Sequence, residues 1–215
     1  MKSIINKYDK NIIISNRYND FINIEIAKLM LEHLEFVKVK PRNILLVYID
    51  QNISANIKKA YPYANVIYSD LTNLISKDKF YKKGEYINDN SVDIVIINIS
   101  IPWYNNFLNV LNEIKRVSKK NTIFIFSSIN SININNFFIY NKTIDVYNMG
   151  SILLKCKLKN IAMDNIVIKM QYNCYKTFFL DIMKSKTFCL GNINLKKVNI
   201  PINCNFDINF GYAVL

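Results

Sequence analysis

The stretch NDNSVDIVIINISIPW, Asn88 to Trp103, decides how the rest of the chain is read. Polar turn residues give way to the apolar run Ile94 to Ile97, which closes on an amide, Asn98; beyond Ile99 to Pro102 stands the only tryptophan. A run this short and this apolar predicts a strand buried on both faces, as strands of parallel sheets are. This run, Asp93 to Ile99, is one of four β-branched runs; the others are Asn43 to Ile49, Asn65 to Ser69 and Thr122 to Ser127. Helical periods lie between them. Ile26, Leu29, Met30, His33 and Leu34 make one face, Phe107, Leu111, Ile114 and Val117 a second, and Val146, Met149, Leu153 and Cys156 a third. Strands alternating with amphipathic helices imply crossover units and a doubly wound α/β sheet.

The final third changes character. Asn165 to Tyr172 and Asn205 to Tyr212 alternate as antiparallel strands do, with a short helix at Tyr175 to Lys184 between them. Asn130 to Asn136 is the one low-complexity segment and reads as a loop. No repeat or Pro/Gly/Ser-rich linker divides the 215 residues, so a single domain is expected. No apolar run approaches the roughly 20 residues of a membrane span, and Met1 to Lys10 is too polar for a secretory signal, so a soluble, cytoplasmic protein is expected. Cys156, Cys174, Cys189 and Cys204 lie at least fifteen positions apart, which excludes zinc-knuckle and CxxC spacing and predicts reduced, mostly buried thiols.

A formal charge of +12 directs attention to anionic partners. The basic residues are lysines except for Arg17, Arg42 and Arg116, and the chain is saturated with Asn, Ile, Lys and Tyr, a mixture that AT-biased coding produces. No aromatic-basic recognition motif accompanies the charge, so nucleic acid is the weakest of the partner readings.

Ligands of doubly wound sheets bind beyond the carboxyl ends of the central strands, where strand order reverses. That directs the search to residues 47 to 54, 69 to 73 and 98 to 104. In the first, ILLVYIDQNIS, Ile44 to Ser54, the turn after the strand carries Tyr48, Asp50 and Asn52, and the first 83 residues contain no glycine. Asp and Asn tolerate left-handed φ, so such a turn can form. The Tyr48 ring either occupies the volume a nucleoside would fill or packs in the core. In the second, Asp70, followed by Leu71, is placed to accept hydrogen bonds from a ribose diol or to cap the next helix. In the third, Asn98 and Trp103 put an amide and an indole at the sheet edge, the indole as a pocket wall or as core. His33, the single histidine, lies on an apolar helical face and reads as structural. No Ser-His-Asp set, metal cluster or paired-carboxylate site emerges.

Taken in order, these pieces resemble a known family. NSVDIVIINISIPWYNNFLNVLNEIKRVSKKNTIFIFSSI is similar to the class I methyltransferases that use S-adenosylmethionine, in particular the malonyl-acyl-carrier-protein O-methyltransferases of biotin synthesis. Asn98, Trp103, Arg116 and Val117 match positions of that family. IDVYNMGSILLKCKLKNIAMDNIVIKMQY, then LGNINLKK and INFGYAVL, follow in the family's order, and NRYNDFINIEIAKLMLEHL resembles its amino-terminal lid. The resemblance implies a Rossmann-like sheet, mostly parallel, with an antiparallel carboxyl-terminal strand pair and helices on both faces. It implies three parts of one domain: lid helices over 1–40, a nucleotide-binding half over 41–130 and a substrate-side half over 131–215.

The implied activity is methylation of the free carboxyl of a malonyl thioester on an acidic acyl carrier protein, with S-adenosylmethionine as donor and no metal. The implied cofactor residues are Tyr48, Asp50, Asp70, Leu71 and Asn98, and the implied substrate-pocket residues are Tyr18 and Trp103. No acid or base is assigned, because a carboxylate is already an ionised nucleophile and needs alignment more than deprotonation. The chain departs from the family at the donor loop. Leu46 stands where the family has an acid, the loop glycines fall on Tyr48, Asp50 and Asn52, and a later glycine pair is Lys120-Asn121. Only twenty residues separate Asp70 from Ser91, which shortens the third-strand region, and the adenine-binding acid falls on Asp78 or Asp89. These departures leave a second reading, a catalytically degenerate methyltransferase fold that binds a carrier protein or another enzyme.

Overall fold

A computed structural model describes residues 11–14, 21–34, 37–47, 51–69, 87–98, 107–134, 137–140, 146–184 and 201–215. Its elements, in order, are β1 (Asn11–Ile14), α1 (Phe21–Leu34), β2 (Asn43–Val47), α2 (Gln51–Ala60), β3 (Asn65–Ser69), β4 (Val92–Ile97), α3 (Phe107–Val117), β5 (Ser118–Ile134), β6 (Phe137–Tyr140), α4 (Val146–Lys155), β7 (Lys159–Tyr172), α5 (Tyr175–Lys184) and β8 (Ile202–Val214). The strands form one sheet in the order β1-β7-β8-β5-β4-β2-β3, with β6 also on β5. β3, β2, β4 and the first part of β5 run parallel, and β8 inserts antiparallel between β5 and β7. The expected α/β sheet with its antiparallel carboxyl-terminal pair is therefore present.

Alternation along the strands feeds two cores. Ile44, Leu46, Ile94, Ile96, Ile123 and Ile125 pack with α1, α2 and α5, while Leu45, Val47, Val95, Ile97, Phe124 and Phe126 pack with α3 and α4. Both faces of the central strands are thus covered, which is why their sequences are apolar without a break. Residue 211 has to be glycine for a local reason. It pairs with Phe126, and a Cβ there would overlap that ring, which stacks on Phe124 at 4.9 Å.

The structure corrects several expectations. Asn130 to Ile134 is not loop: it continues β5, with Ile132 and Ile134 buried and Ser131 and Asn133 half-buried, and β6 pairs back on it. β1, which no local pattern suggested, adds a parallel edge strand beside β7 within the segment expected to be lid helices. Of the three described cysteines only Cys204 is buried; Cys156 and Cys174 are half-exposed, and all three are free thiols. Asn121, the second residue of the missing glycine pair, itself adopts φ 67°, so an asparagine serves where glycine would cost less. Among the described residues no helix is long and apolar enough to cross a membrane.

The starts of β2, β4 and β5 are tied together by one carboxylate. Asp93 Oδ2 accepts from the backbone N–H of Arg42 and of Asn43, each at 2.8 Å, and Oδ1 accepts from Lys119 Nζ at 2.7 Å. Burial alone raises the Asp93 carboxyl, but the Lys119 ammonium and the two N–H donors outweigh it and hold the group below its ordinary value. A depressed carboxylate contributes stability above its unfolded pKa and loses it as pH falls through the folded one. Asp93→Asn should therefore cost about 2 kcal/mol at neutral pH in urea unfolding, and the gap from the parent should narrow as the acid range is entered. Gly211→Ala should cost about 1–3 kcal/mol by overpacking against Phe126, measured the same way.

Candidate cofactor and substrate site

The strand order reverses between β2 and β4, since the chain passes from β2 outward to β3 and then returns to the other side of β2. The carboxyl ends of these strands, Val47 and Ile97, with Asn98 just beyond, form the crevice where a doubly wound sheet takes its ligand. α2 begins at Gln51, so its amino terminus, the positive end of the helix dipole, faces the same edge. Asn98 and Asp89, one of the two positions for the adenine-binding acid, lie within the described structure. Tyr18, Tyr48, Asp50, Asp70, Leu71, Asp78 and Trp103 lie outside the described residues.

Asn98 is only 1% exposed and is held from three sides. Its backbone N–H donates to Val47 O at 3.1 Å, its Nδ2 donates to Asn23 O at 3.1 Å, and its Oδ1 accepts from Ser127 Oγ at 3.0 Å. The amide therefore joins β2, β5 and the first turn of α1 at the point of strand reversal. A second tether lies beside it. Buried Asp181 of α5 accepts from Tyr172 Oη at 2.5 Å and from the N–H of Ile22 at 3.5 Å, placing a carboxylate at the start of α1. Cys204 is pushed well above the ordinary thiol range, first by burial and then by the Asp181 charge, so it sits there as an inert thiol. The amino-terminal helix is thus fixed at the carboxyl edge.

The other positions noted in the sequence are engaged in the fold. Leu46, in place of the family's acid, is 1% exposed and belongs to the α1-side core. His33 stacks on Phe210 at 5.8 Å, as a structural histidine. Asp89 pairs with Arg116, whose guanidinium also binds Glu113 Oε1 at 2.5 Å and Ile87 O at 3.0 Å. Arg116 thereby locks the end of α3 to the turn that starts β4, and Val117 beside it is buried.

A polar shelf across β5, β8 and β7 has no counterpart among the sequence expectations. Asn165 Nδ2 donates to Asn209 Oδ1 at 2.8 Å and also to Asp207, and Asp207 Oδ2 accepts from Asn130 Nδ2 at 2.9 Å and Ser131 Oγ at 3.3 Å. Ser128 pairs with Asn209 across β5 and β8, and Asn209 with Asn165 across β8 and β7. Ser128 Oγ and Asn209 Nδ2, both buried, have no hydrogen-bond partner. No sequence spacing could have assembled these residues, because the register of three strands does. Among the described residues no group of His, Cys, Asp and Glu could hold a metal.

No protein-family model matches the chain, and no curated protein is similar to it in sequence. Solved structures are similar in shape. A SAM-dependent methyltransferase from Archaeoglobus fulgidus superposes with a TM-score of 0.52 at 12% identity, over 89% of this chain and 94% of that one. The fold is that of the S-adenosylmethionine methyltransferases. The YcgJ protein of Bacillus subtilis gives 0.51 at 10% identity, over 89% of this chain and 98% of that one. Phosphoethanolamine N-methyltransferase 2 of Haemonchus contortus, solved with S-adenosyl-L-methionine, gives 0.53 at 14% identity over 93% of this chain, which spans 58% of that longer protein.

Buried polar atoms without partners destabilise a fold, so the two on the shelf bear on its use. Ser128→Ala should raise stability by about 1 kcal/mol in urea unfolding, and it should do so without disturbing the Asn165–Asp207 bonds, which Asn165→Ala should show as a loss.

Proposed function

We propose that the chain is a methyltransferase enzyme that transfers the methyl group of S-adenosylmethionine to the free carboxyl of a malonyl thioester on an acidic acyl carrier protein, in the formation of the pimeloyl precursor of biotin. The observation that carries the reaction class is the sheet itself: parallel strands reversing at β2 and β4, completed by an antiparallel β8 between β5 and β7. The choice of acceptor is supported by the likeness of Asn88 to Tyr172 to the carboxyl methyltransferases.

The described part of the crevice suits such a donor in frame, with the amino terminus of α2 and the Asn98 amide at the strand ends. Tyr48 and Asp50 of the turn, Asp70 on the ribose with Leu71 following, and Tyr18 and Trp103 around the acceptor complete the assignment. When bound, the sulfonium supplies an activated methyl group. The protein's part is to align donor and carboxylate and to exclude water, which needs no tuned acid or base. Ser128 Oγ and Asn209 Nδ2 are donors lacking acceptors, and oxygens of an acyl group have the chemistry to satisfy them.

A second reading is favoured by specific observations: Leu46 is in the core, the Asn98 amide is bonded to Asn23 and Ser127, and the turn between β2 and α2 has no glycine. These suit a protein that keeps the fold to bind a carrier protein or another enzyme. Calorimetric titration with S-adenosylmethionine and with its demethylated product separates the two. The enzyme reading expects saturable binding of both, and transfer of labelled methyl from the donor to malonyl-acyl carrier protein as a base-labile ester. Absence of binding at millimolar ligand, not restored by Tyr48→Gly with Asp50→Gly, would leave the binding-protein reading.

A further inference from the structure

The amino edge of the sheet, opposite the carboxyl edge that holds the crevice, gathers most of the charge of the described residues. Three helices end there on lysine: α2 on Lys58 and Lys59, α3 on Lys115 before Arg116, and α4 on Lys155. The approach to β2 adds Lys38, Lys40 and Arg42, and the starts of β5 and β7 add Lys119, Lys120 and Lys159, with Lys157 in the turn between. This edge carries twelve basic residues against three acids, Asp89, Asp93 and Glu113; the remaining described residues carry four lysines against five acids. The three acids form ion pairs with Arg116 and Lys119. The other basic residues of the edge have no carboxylate partner among the described residues.

Hydrogen bonds tie together several of the strand starts and helix ends that carry this belt. Asn65 N–H donates to Arg42 O, Arg42 N–H donates to Asp93, Asp93 pairs with Lys119, and Lys115 Nζ donates to Cys156 O. It runs from β3 across β2, β4, β5 and β8 to β7, five strand spacings or about 24 Å. Tyr63, in the turn that enters β3, lies at one end of it and is 98% exposed. Favourable placement at helix carboxyl termini explains the lysines of α2, α3 and α4 and Lys157, which caps α4, but not those at 38, 40, 120 and 159. Lys157 occupies φ 62°, a left-handed position that favours glycine. Coding bias sets how many lysines a chain has and not where the fold collects them.

We infer that this edge binds the backbone of single-stranded nucleic acid, with Tyr63 as a stacking platform. Exposed lysines in a row meet phosphates as point charges without reading sequence, and an exposed ring beside them takes a base. A protein partner fits worse, because lysine is depleted from protein interfaces. A carrier protein delivering an acyl group must dock at the other edge. A membrane surface asks for a joined apolar face, and the exposed large apolar residues of this edge among the described residues, Val39, Tyr63 and Leu154, stand on three separate elements. The inference stands whether or not the chain transfers methyl groups.

The test is fluorescence anisotropy of labelled 20-nucleotide oligouridylate and of a 20-base-pair DNA duplex over a range of salt. The parent should bind the single strand more tightly, with affinity falling as salt rises. Lys120, Lys157 and Lys159 together changed to Gln should weaken it at least about tenfold at 0.1 M salt and flatten the salt slope by about 2. Tyr63→Ala should weaken the single strand about fivefold or more and leave the duplex unchanged. Lys28, Lys169 and Lys176 changed to Gln removes the same charge elsewhere and should change affinity less than about twofold, with thermal melts checking that each variant folds. Equal losses from the two triple variants, no binding at about 100 µM protein in 50 mM salt, a silent Tyr63→Ala, or capture by vesicles of anionic lipid without capture of the oligonucleotide would each overturn it.

Discussion

Hydrogen bonding of β8 along both of its edges is the constraint on which the other elements depend. Its 13 residues pair antiparallel with β5 from Ile123 to Ile134 and with β7 from Lys159 to Tyr172. The strand carries Cys204, Phe206, Ile208 and Phe210 to the α1 side and Gly211 and Ala213 to the other, so it contributes to both cores at once. Without it β7, and β1 beyond it, would have no sheet to join. A one-residue slip would exchange the two sets of side chains and place Phe210 where only glycine fits.

Much of this was legible in the sequence, and the reasons for the rest are physical. β3 and α5 run over the expected residues, because each has a clear period bounded by polar residues. The far half of β5 departs from the loop expected of it because asparagine, a turn former by habit, fills its half-exposed positions; the alternation of Ile132 and Ile134 with Ser131 and Asn133 lies beneath that composition. β1 is four residues long, too short to show a period. The polar shelf and the basic edge were invisible for another reason. Their members are far apart in sequence, and only strand register and helix direction bring Asn130, Asn165 and Asp207, or Arg42, Lys119 and Lys159, to one place.

Of the candidate site, the position of Asn98 is legible: the sequence puts it at the end of a buried strand, and that is where it stands. What sequence could not give was its partners. An amide at a strand end reads as a group offered to a ligand, yet here it accepts from Ser127 and donates to the first turn of α1. The same holds for Arg116, whose match to a family position corresponds to a clamp between α3 and the turn before β4. Residues that mark a fold can do so because they assemble it.

The uneven charge also gives the molecule a direction. With a positive excess along one edge and a slight negative balance elsewhere, the described residues form an electric dipole set roughly along the parallel strands. In the field of a polyanion it would turn that edge inward before touching, and the crevice at the strand ends would then look outward to solvent. A small cationic ligand such as a sulfonium would meet less repulsion on that outward side than anywhere along the lysine belt. Orientation, attachment and access would thus follow from where the fold sends its lysines, without any moving part.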